Sequence, residues 1–249
     1  MTLNFLIAPD FAPERFAGWH MLNTTLQRRS GIGLHLLTPV SAHEQAEPLS
    51  AGKADLVYAN PFDAADMIRT QGYVPFARPA QRYDEMVIAT GAESGLTCVE
   101  DLKPGCRIAL TENGDVKLIG LRLLEPADLT EAVIRWVPVD SYQAAARLVI
   151  KGEVEASFFL ADAFASLTRM TRSQLRVLVE SAISDISHVV LAHPRVADQL
   201  PAFRTALLGM GQSPGDSDVL DALGLPSGFE PMTQEEAEFM IDLMDTLLD

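Results

Sequence analysis

Two stretches of the chain carry one pattern. Gly52–Asn60 reads Gly-Lys-Ala-Asp-Leu-Val-Tyr-Ala-Asn, and Gly152–Leu160 reads Gly-Glu-Val-Glu-Ala-Ser-Phe-Phe-Leu. Each runs glycine, charge, small apolar residue, acid, then a short apolar and aromatic run. Glycine stops a helix because it enters the left-handed conformation without steric cost. The apolar run that follows has the length of a buried strand. Helical patterns precede and follow both copies. A helix–strand–helix unit used twice constrains the chain to two α/β halves, and in open α/β sheets ligands bind beyond the carboxyl ends of the strands. Both copies deliver an aromatic to such an end.

The bulk properties narrow the function. The chain has 249 residues, enough for one large domain or two small ones. A net charge of −15 opposes the basic face that nucleic-acid binding requires. It leaves room for a small anion held by backbone N–H groups. The apolar runs have strand length, so the protein is not expected to be membrane-embedded. The first strand begins almost at Met1, so no signal peptide is read; the chain as written is expected to be soluble and cytoplasmic, and periplasmic if it is a mature form trimmed of its leader, which would look the same. Cys98 and Cys106 read as free thiols. The five histidines lack metal-ligand spacing, so neither a metal nor a cofactor is expected.

Along the chain, strands are expected at 3–8, 34–37, 73–77, 85–90, 107–110, 133–137, 175–180 and 189–192, and one in the apolar run of each repeat copy. Helices fall between them, among them 161–170, with a helical tail over 197–208, 216–223 and 234–248. The order β-α-β-α-β occurs twice, which favours mainly parallel sheets with right-handed crossovers. The fold class is therefore α/β, two-lobed, each lobe a mainly parallel sheet flanked by helices. Residues 1–84 with 190–249 form lobe one and 85–189 lobe two. A two-strand hinge lies near 81–91 and 179–193.

Several segments together resemble the phosphate/phosphite/phosphonate-type substrate-binding proteins of ABC transporters, within the type II periplasmic-binding-protein class. They are the opening strand with Pro9-Asp10-Phe11-Ala12-Pro13-Glu14-Arg15-Phe16, Gly52–Phe62, Ser94-Gly95-Leu96 with Glu100–Gly105, Ser141–Ala145, Gly152–Ala156, and the tail Asp221–Leu225 with Gly228–Pro231. The resemblance covers nearly the whole chain. It implies capture of a small polar ligand, an oxyanion or phosphonate-like compound, in a cleft between lobes, with an ABC permease as partner. One departure is chemical. Where the family has a Ser-Thr-Ser-Gly turn at a helix start, this chain has Thr111-Glu112-Asn113-Gly114-Asp115, and two carboxylates there oppose an anion. Tyr142 replaces a common His, and Leu160 replaces a common Asp.

The candidate ligand-binding residues follow from the strand ends and helix starts. They are Asp10 and Phe11 after the first strand, then Tyr58, Asn60 and Phe62 around the first repeat tip. Tyr83 and Glu85 lie at the first crossover. Asn113, Gly114 and Asp115 form the altered turn, and Ser141 and Tyr142 open a helix. Phe159 and Asp162 lie at the second repeat tip. At a period of two, only one of Phe158 and Phe159 can face a cleft. Asp162 is read as the cap of the helix after that tip. No catalytic constellation is present: there is no Gly-x-Ser-x-Gly elbow, P-loop or zinc motif. Two further readings stay open on the same fold, a cytoplasmic ligand sensor or regulatory subunit with a signalling partner, and an enzyme.

Overall fold

The computed structural model describes residues 2–9, 11 and 13–248. The chain divides into two compact units, Met1–Tyr83 with Asp185–Met244, and Asp84–Ser184 with Asp245–Asp249.

The first unit is built on β1 (Thr2–Ile7), α1 (Phe16–Ser30), β2 (Gly33–Leu37), α2 (Ala42–Ser50), β3 (Leu56–Ala59), α3 (Pro61–Gln71) and β4 (Val74–Pro79). The second holds β5 (Met86–Gly91), β6 (Arg107–Leu110), α4 (Gly114–Leu123), β7 (Arg135–Pro138), α5 (Tyr142–Ile150), β8 (Ala156–Leu160), α6 (Ala161–Ser166), α7 (Arg169–Arg172) and β9 (Leu175–Glu180). The chain then returns to the first with β10 (Val189–Ala192), α8 (Leu200–Leu208), α9 (Asp216–Leu223), β11 (Phe229–Pro231) and α10 (Gln234–Leu248), whose last residues group with the second unit.

The sheets run β11-β4-β10-β3-β1-β2 and β7-β6-β8-β5-β9. Apart from the extra edge strand β11, the two orders correspond strand for strand. β1 pairs parallel with β2 and β3, as β6 does with β7 and β8. In each sheet one central strand runs backwards, and in the first the edge strand β11 does too. β10 is antiparallel to both β3 and β4, and β5 is antiparallel to both β8 and β9. The strand that follows each crossing of the chain thus wedges into the sheet it enters. Its first residue then lies beside the last residues of the repeat strand: Val189 faces Ala59, and Met86 faces Leu160.

The repeat is a structural equivalence as well as a sequence one. Gly52 and Gly152 take φ of 60° and 69°. The N–H groups of Gly52 and Lys53 reach back to Leu49 and Pro48, as those of Gly152 and Glu153 do to Val149 and Leu148. These bonds close each helix with a left-handed glycine. The acid of each copy binds the parallel strand beside it. Asp55 N–H donates to the Asn4 carbonyl while Asn4 N–H donates to Asp55 Oδ2 at 2.8 Å. Glu155 N–H donates to the Arg107 carbonyl while Arg107 N–H donates to Glu155 Oε2 at 2.6 Å.

The central strands of each sheet, β3 and β10 in one and β5 and β8 in the other, are buried on both faces, which is why they read as unbroken apolar runs. In the first unit Leu3, Phe5 and Ile7 of β1 join Trp19, Leu22 and Leu26 of α1 and Phe203 and Leu207 of α8. In the second, Phe159 lies with Ala145, Ala146 and Val149 of α5. Phe158 faces the opposite side against Gly120 of α4, where even a methyl group would come within 2.3 Å of its ring.

Some boundaries differ from expectation for local reasons. The helix expected over 161–170 stops at Ser166, because Leu167 turns extended and is buried, and Thr168 caps a new turn by accepting from Thr171 N–H. The strand expected from Val133 starts at Arg135, since Glu131–Val133 is a 3-10 turn. Helix α8 starts at Leu200 rather than 197, with Pro201 in its first turn. The tail also holds a strand, β11, between α9 and α10. No helix among the described residues is long and apolar enough to cross a membrane.

Candidate functional site

In the first unit the strand ends gather an aromatic stack. Tyr58, second to last in β3, lies 4.7 Å from Trp19 of α1, ring centroid to centroid, and 4.8 Å from His188, with which it stacks at 21°. Phe11, after β1, lies 6.0 Å from Trp19. Trp19 and Tyr58 are almost fully buried, so this is a packed wall whose rim, not its faces, is available. Trp19 Nε1 is buried with no hydrogen-bond partner among the described residues. Asp10 lies outside the described residues.

Beyond Tyr58 the chain turns into α3. Asn60 caps it: its side-chain oxygen accepts from Asp63 N–H at 2.8 Å, and Pro61 takes the first helical position, where its missing N–H costs nothing. Asn60 Nδ2 also donates to Asp63 Oδ2, which takes a second bond from Gln45 Nε2 of α2. Phe62 is 46% exposed at the same helix start. The tip therefore offers an amide, a helix N-terminus and an exposed ring. Ser187, just before β10, is buried and its hydroxyl has no partner among the described residues.

In the second unit the altered turn is a capped helix start. Asn113 is the cap of α4, its side-chain oxygen accepting from Val116 N–H at 3.0 Å, so the cap itself is neutral. Gly114 is the first helical residue and exposed. Asp115, the second, is 3% exposed, and the favourable field of the first turn suits a carboxylate there. Thr111 Oγ1 is buried and has no partner among the described residues. Ser141 caps α5 by accepting from Ala144 N–H, and Tyr142 follows it.

One expectation at the second repeat tip, the cap at Asp162, is corrected. Phe159 is fully buried in the core, 6.1 Å from Tyr142 and 5.4 Å from Phe164, and Phe158 is fully buried on the other face. With helices on both faces of the sheet, neither ring is left exposed. Asp162 is not the cap of α6; it sits in the first turn, and the capping position is Leu160, which has no side-chain cap bond.

At the first crossover, Tyr83 is exposed. Both oxygens of Glu85 are engaged within the second unit, Oε1 by Ser184 N–H at 2.8 Å and Oε2 by the Ser181 hydroxyl. His188, which the sequence places in the second crossover, stands at the Tyr58 strand tip. Its proximity to Tyr58 follows from β10 entering antiparallel, and strand direction is absent from local sequence pattern.

The displaced titrations described here serve the scaffold. The Arg107 side chain, donating to Glu155, holds that carboxyl below its ordinary range. Burial opposes ionisation of Asp216, but bonds from Arg29, Ser213 N–H and Gly211 N–H outweigh it and leave its pKa lowered. Burial pushes Tyr73 up and His193 down, both beside the Asp55–Arg195 pair at the opposite end of β3 from Tyr58. Among the described residues no group of three His, Cys, Asp or Glu could hold a metal ion.

Known proteins share this architecture. PhnD1 from Prochlorococcus marinus, solved with methylphosphonate, is 13% identical; 99% of this chain and 98% of that one superpose with a TM-score of 0.84. A binding-protein component of a Pseudomonas aeruginosa ABC phosphonate transporter is 14% identical over 100% and 89% of the two chains, TM-score 0.79. The Escherichia coli aliphatic sulphonate binding protein SsuA is 17% identical over 99% and 86%, TM-score 0.69. At such identities the likeness establishes the fold. No curated protein sequence matches this one. Residues 5–237 match the family described as ABC transporter, phosphonate, periplasmic substrate-binding protein, and the chain belongs to that family.

Proposed function

We propose that the protein binds a small polar molecule carrying both an anionic group and a hydrogen-bond donor, and passes it to an ABC permease without transforming it. The observation that carries this reading is a strand tip in each unit that runs into an asparagine-capped helix start, β3 into α3 and β6 into α4. The first is capped by Asn60 and the second by Asn113 with the buried Asp115 behind it. Helix N-termini suit an anion, while a buried carboxylate suits a donor or cation. Donors near these tips that have no partner among the described residues, Trp19 Nε1 and the Thr111 and Ser187 hydroxyls, support a ligand rich in acceptors as well. The family itself supports binding over catalysis.

Thermal shift tests the reading with four probes: phosphate, phosphite, methylphosphonate and 2-aminoethylphosphonate. A ligand at a hundred times its Kd stabilises by about 2.7 kcal/mol. The aminophosphonate is expected to stabilise more than methylphosphonate, and Asp115→Asn to reverse that order. Stabilisation by methylphosphonate alone would show that Asp115 takes no part. Mass spectrometry of co-purified small molecules, and a neighbouring permease and ATPase reading frame, test the transport role.

A further inference from the structure

The backbone at the two places where the chain changes unit is unusual. Three described residues other than glycine adopt positive φ, and two of them, Gln81 at 54° and Ser184 at 62°, flank the crossings at Tyr83–Asp84 and Ser184–Asp185. Side chains without glycine's freedom hold this conformation only where surrounding bonds impose it.

Those bonds are present on both sides. Before the first crossing, Ala80 N–H donates to Gly228, Gln81 Oε1 accepts from the Ser227 hydroxyl, and Arg82 donates to the Gly224 carbonyl, all within the first unit. After it, Glu85 takes over within the second. Its carbonyl accepts from Ala161 N–H, and its carboxylate collects Ser184 N–H and the Ser181 hydroxyl. Ser181 completes the knot, exchanging its N–H with the Met86 carbonyl at 3.0 Å and accepting Met86 N–H on its hydroxyl at 2.9 Å. Ile186 is buried again on the far side of the second crossing.

We propose that Glu85 is a clamp that yokes the segments by which the chain enters and leaves the second unit, confining the pivots to Tyr83–Asp84 and Asp185. Its carboxylate fixes the left-handed turn at Ser184, so the outgoing segment cannot swing independently of the incoming one. Glu85 then acts as a positioning residue, through Ser181 and Ser184, and not as a ligand contact. A clamp of this kind leaves hinge motion few directions, because only a few residues can absorb the dihedral change.

The test needs no ligand. In protein with Cys98 and Cys106 replaced by serine, spin labels are attached through Glu47→Cys in the first unit and Arg172→Cys in the second. Pulsed electron paramagnetic resonance then reads the spread of distances, and hydrogen exchange reads residues 182–187. Glu85→Ala is expected to broaden the distance distribution and to speed exchange in that segment by about tenfold. Ser184→Gly, which keeps both bonds to Glu85, is expected to leave the distribution unchanged. Asp55→Asn, a scaffold change remote from the crossings, serves as the control. An unchanged distribution in Glu85→Ala, or equal broadening in Asp55→Asn, overturns the proposal. Should Glu85→Ala not fold, Ser181→Ala removes one arm of the clamp and is read in the same way.

Discussion

Arg195 Nε donates to Asp55 Oδ1 at 2.7 Å, although 140 residues separate the two in sequence. The same guanidinium donates to the carbonyls of Gly52 and Ala54, so one side chain after β10 holds the entire turn that launches β3. Glu155 has a counterpart in Arg107, which is its immediate strand neighbour. The acid in the repeat is therefore a strand clamp, remote from the tip where Tyr58 stands.

Breaking this pair from its two ends is expected to cost unequally. Asp55 is nearly buried, whereas Arg195 reaches solvent. Arg195→Met strands a buried carboxylate and is expected to cost about 3 kcal/mol, while Asp55→Asn, which can still accept from Asn4 N–H, is expected to cost about 1 to 2 kcal/mol. Urea titration measures both. Equal costs would mean that Asp55 is not effectively buried.

Gly120 tests how tightly α4 packs on β8. A Cβ there would lie 2.3 Å from Phe158 and 2.8 Å from the Met86 methyl. Gly120→Ala gains helix propensity but overpacks the core, with a net loss of about 1 to 3 kcal/mol expected from chemical denaturation. A stabilised variant would show that Phe158 can move aside.

Phe159 separates core from ligand contact. Fully buried among α5 residues, it is expected to cost about 3 to 5 kcal/mol when changed to Ala. Phe159→Leu, closer in volume, is expected to retain most of the stability and full ligand-induced thermal shift. Loss of that shift in a well-folded Phe159→Leu would place the ring at the ligand after all.

Acid is expected to destabilise the fold through Glu155 and Asp216. Both have pKa values lowered in the folded state, so each contributes stability above the ordinary carboxylate range that is lost as pH falls through its folded value. Stability is expected to hold from neutral pH down to about 5 and to decline below about 4. Glu155→Gln is expected to flatten part of that decline, measured as urea midpoint against pH. An unchanged profile would remove Arg107–Glu155 as a source.

Local pattern determined much of this protein. The glycine stops, the buried strand after each, the proline-started α3 and the Ser41, Asn60, Asn113 and Ser141 caps depend on residues within a few positions of one another, so the sequence displays them directly. The doubled pattern was enough for two α/β halves, and the motifs around it for the family. What pattern could not display was strand direction and the partners it brings together. A buried apolar run looks the same forwards and backwards, so only the tertiary structure decided that β5 and β10 enter their sheets reversed. That reversal put His188 against Tyr58 and Ser184 against Glu85. It also decided the fate of the second aromatic tip, because helices on both faces of the sheet bury Phe158 and Phe159 alike. The repeated acids show the same division: their spacing is a property of the chain, but their role as clamps exists only once Asn4 and Arg107 lie beside them.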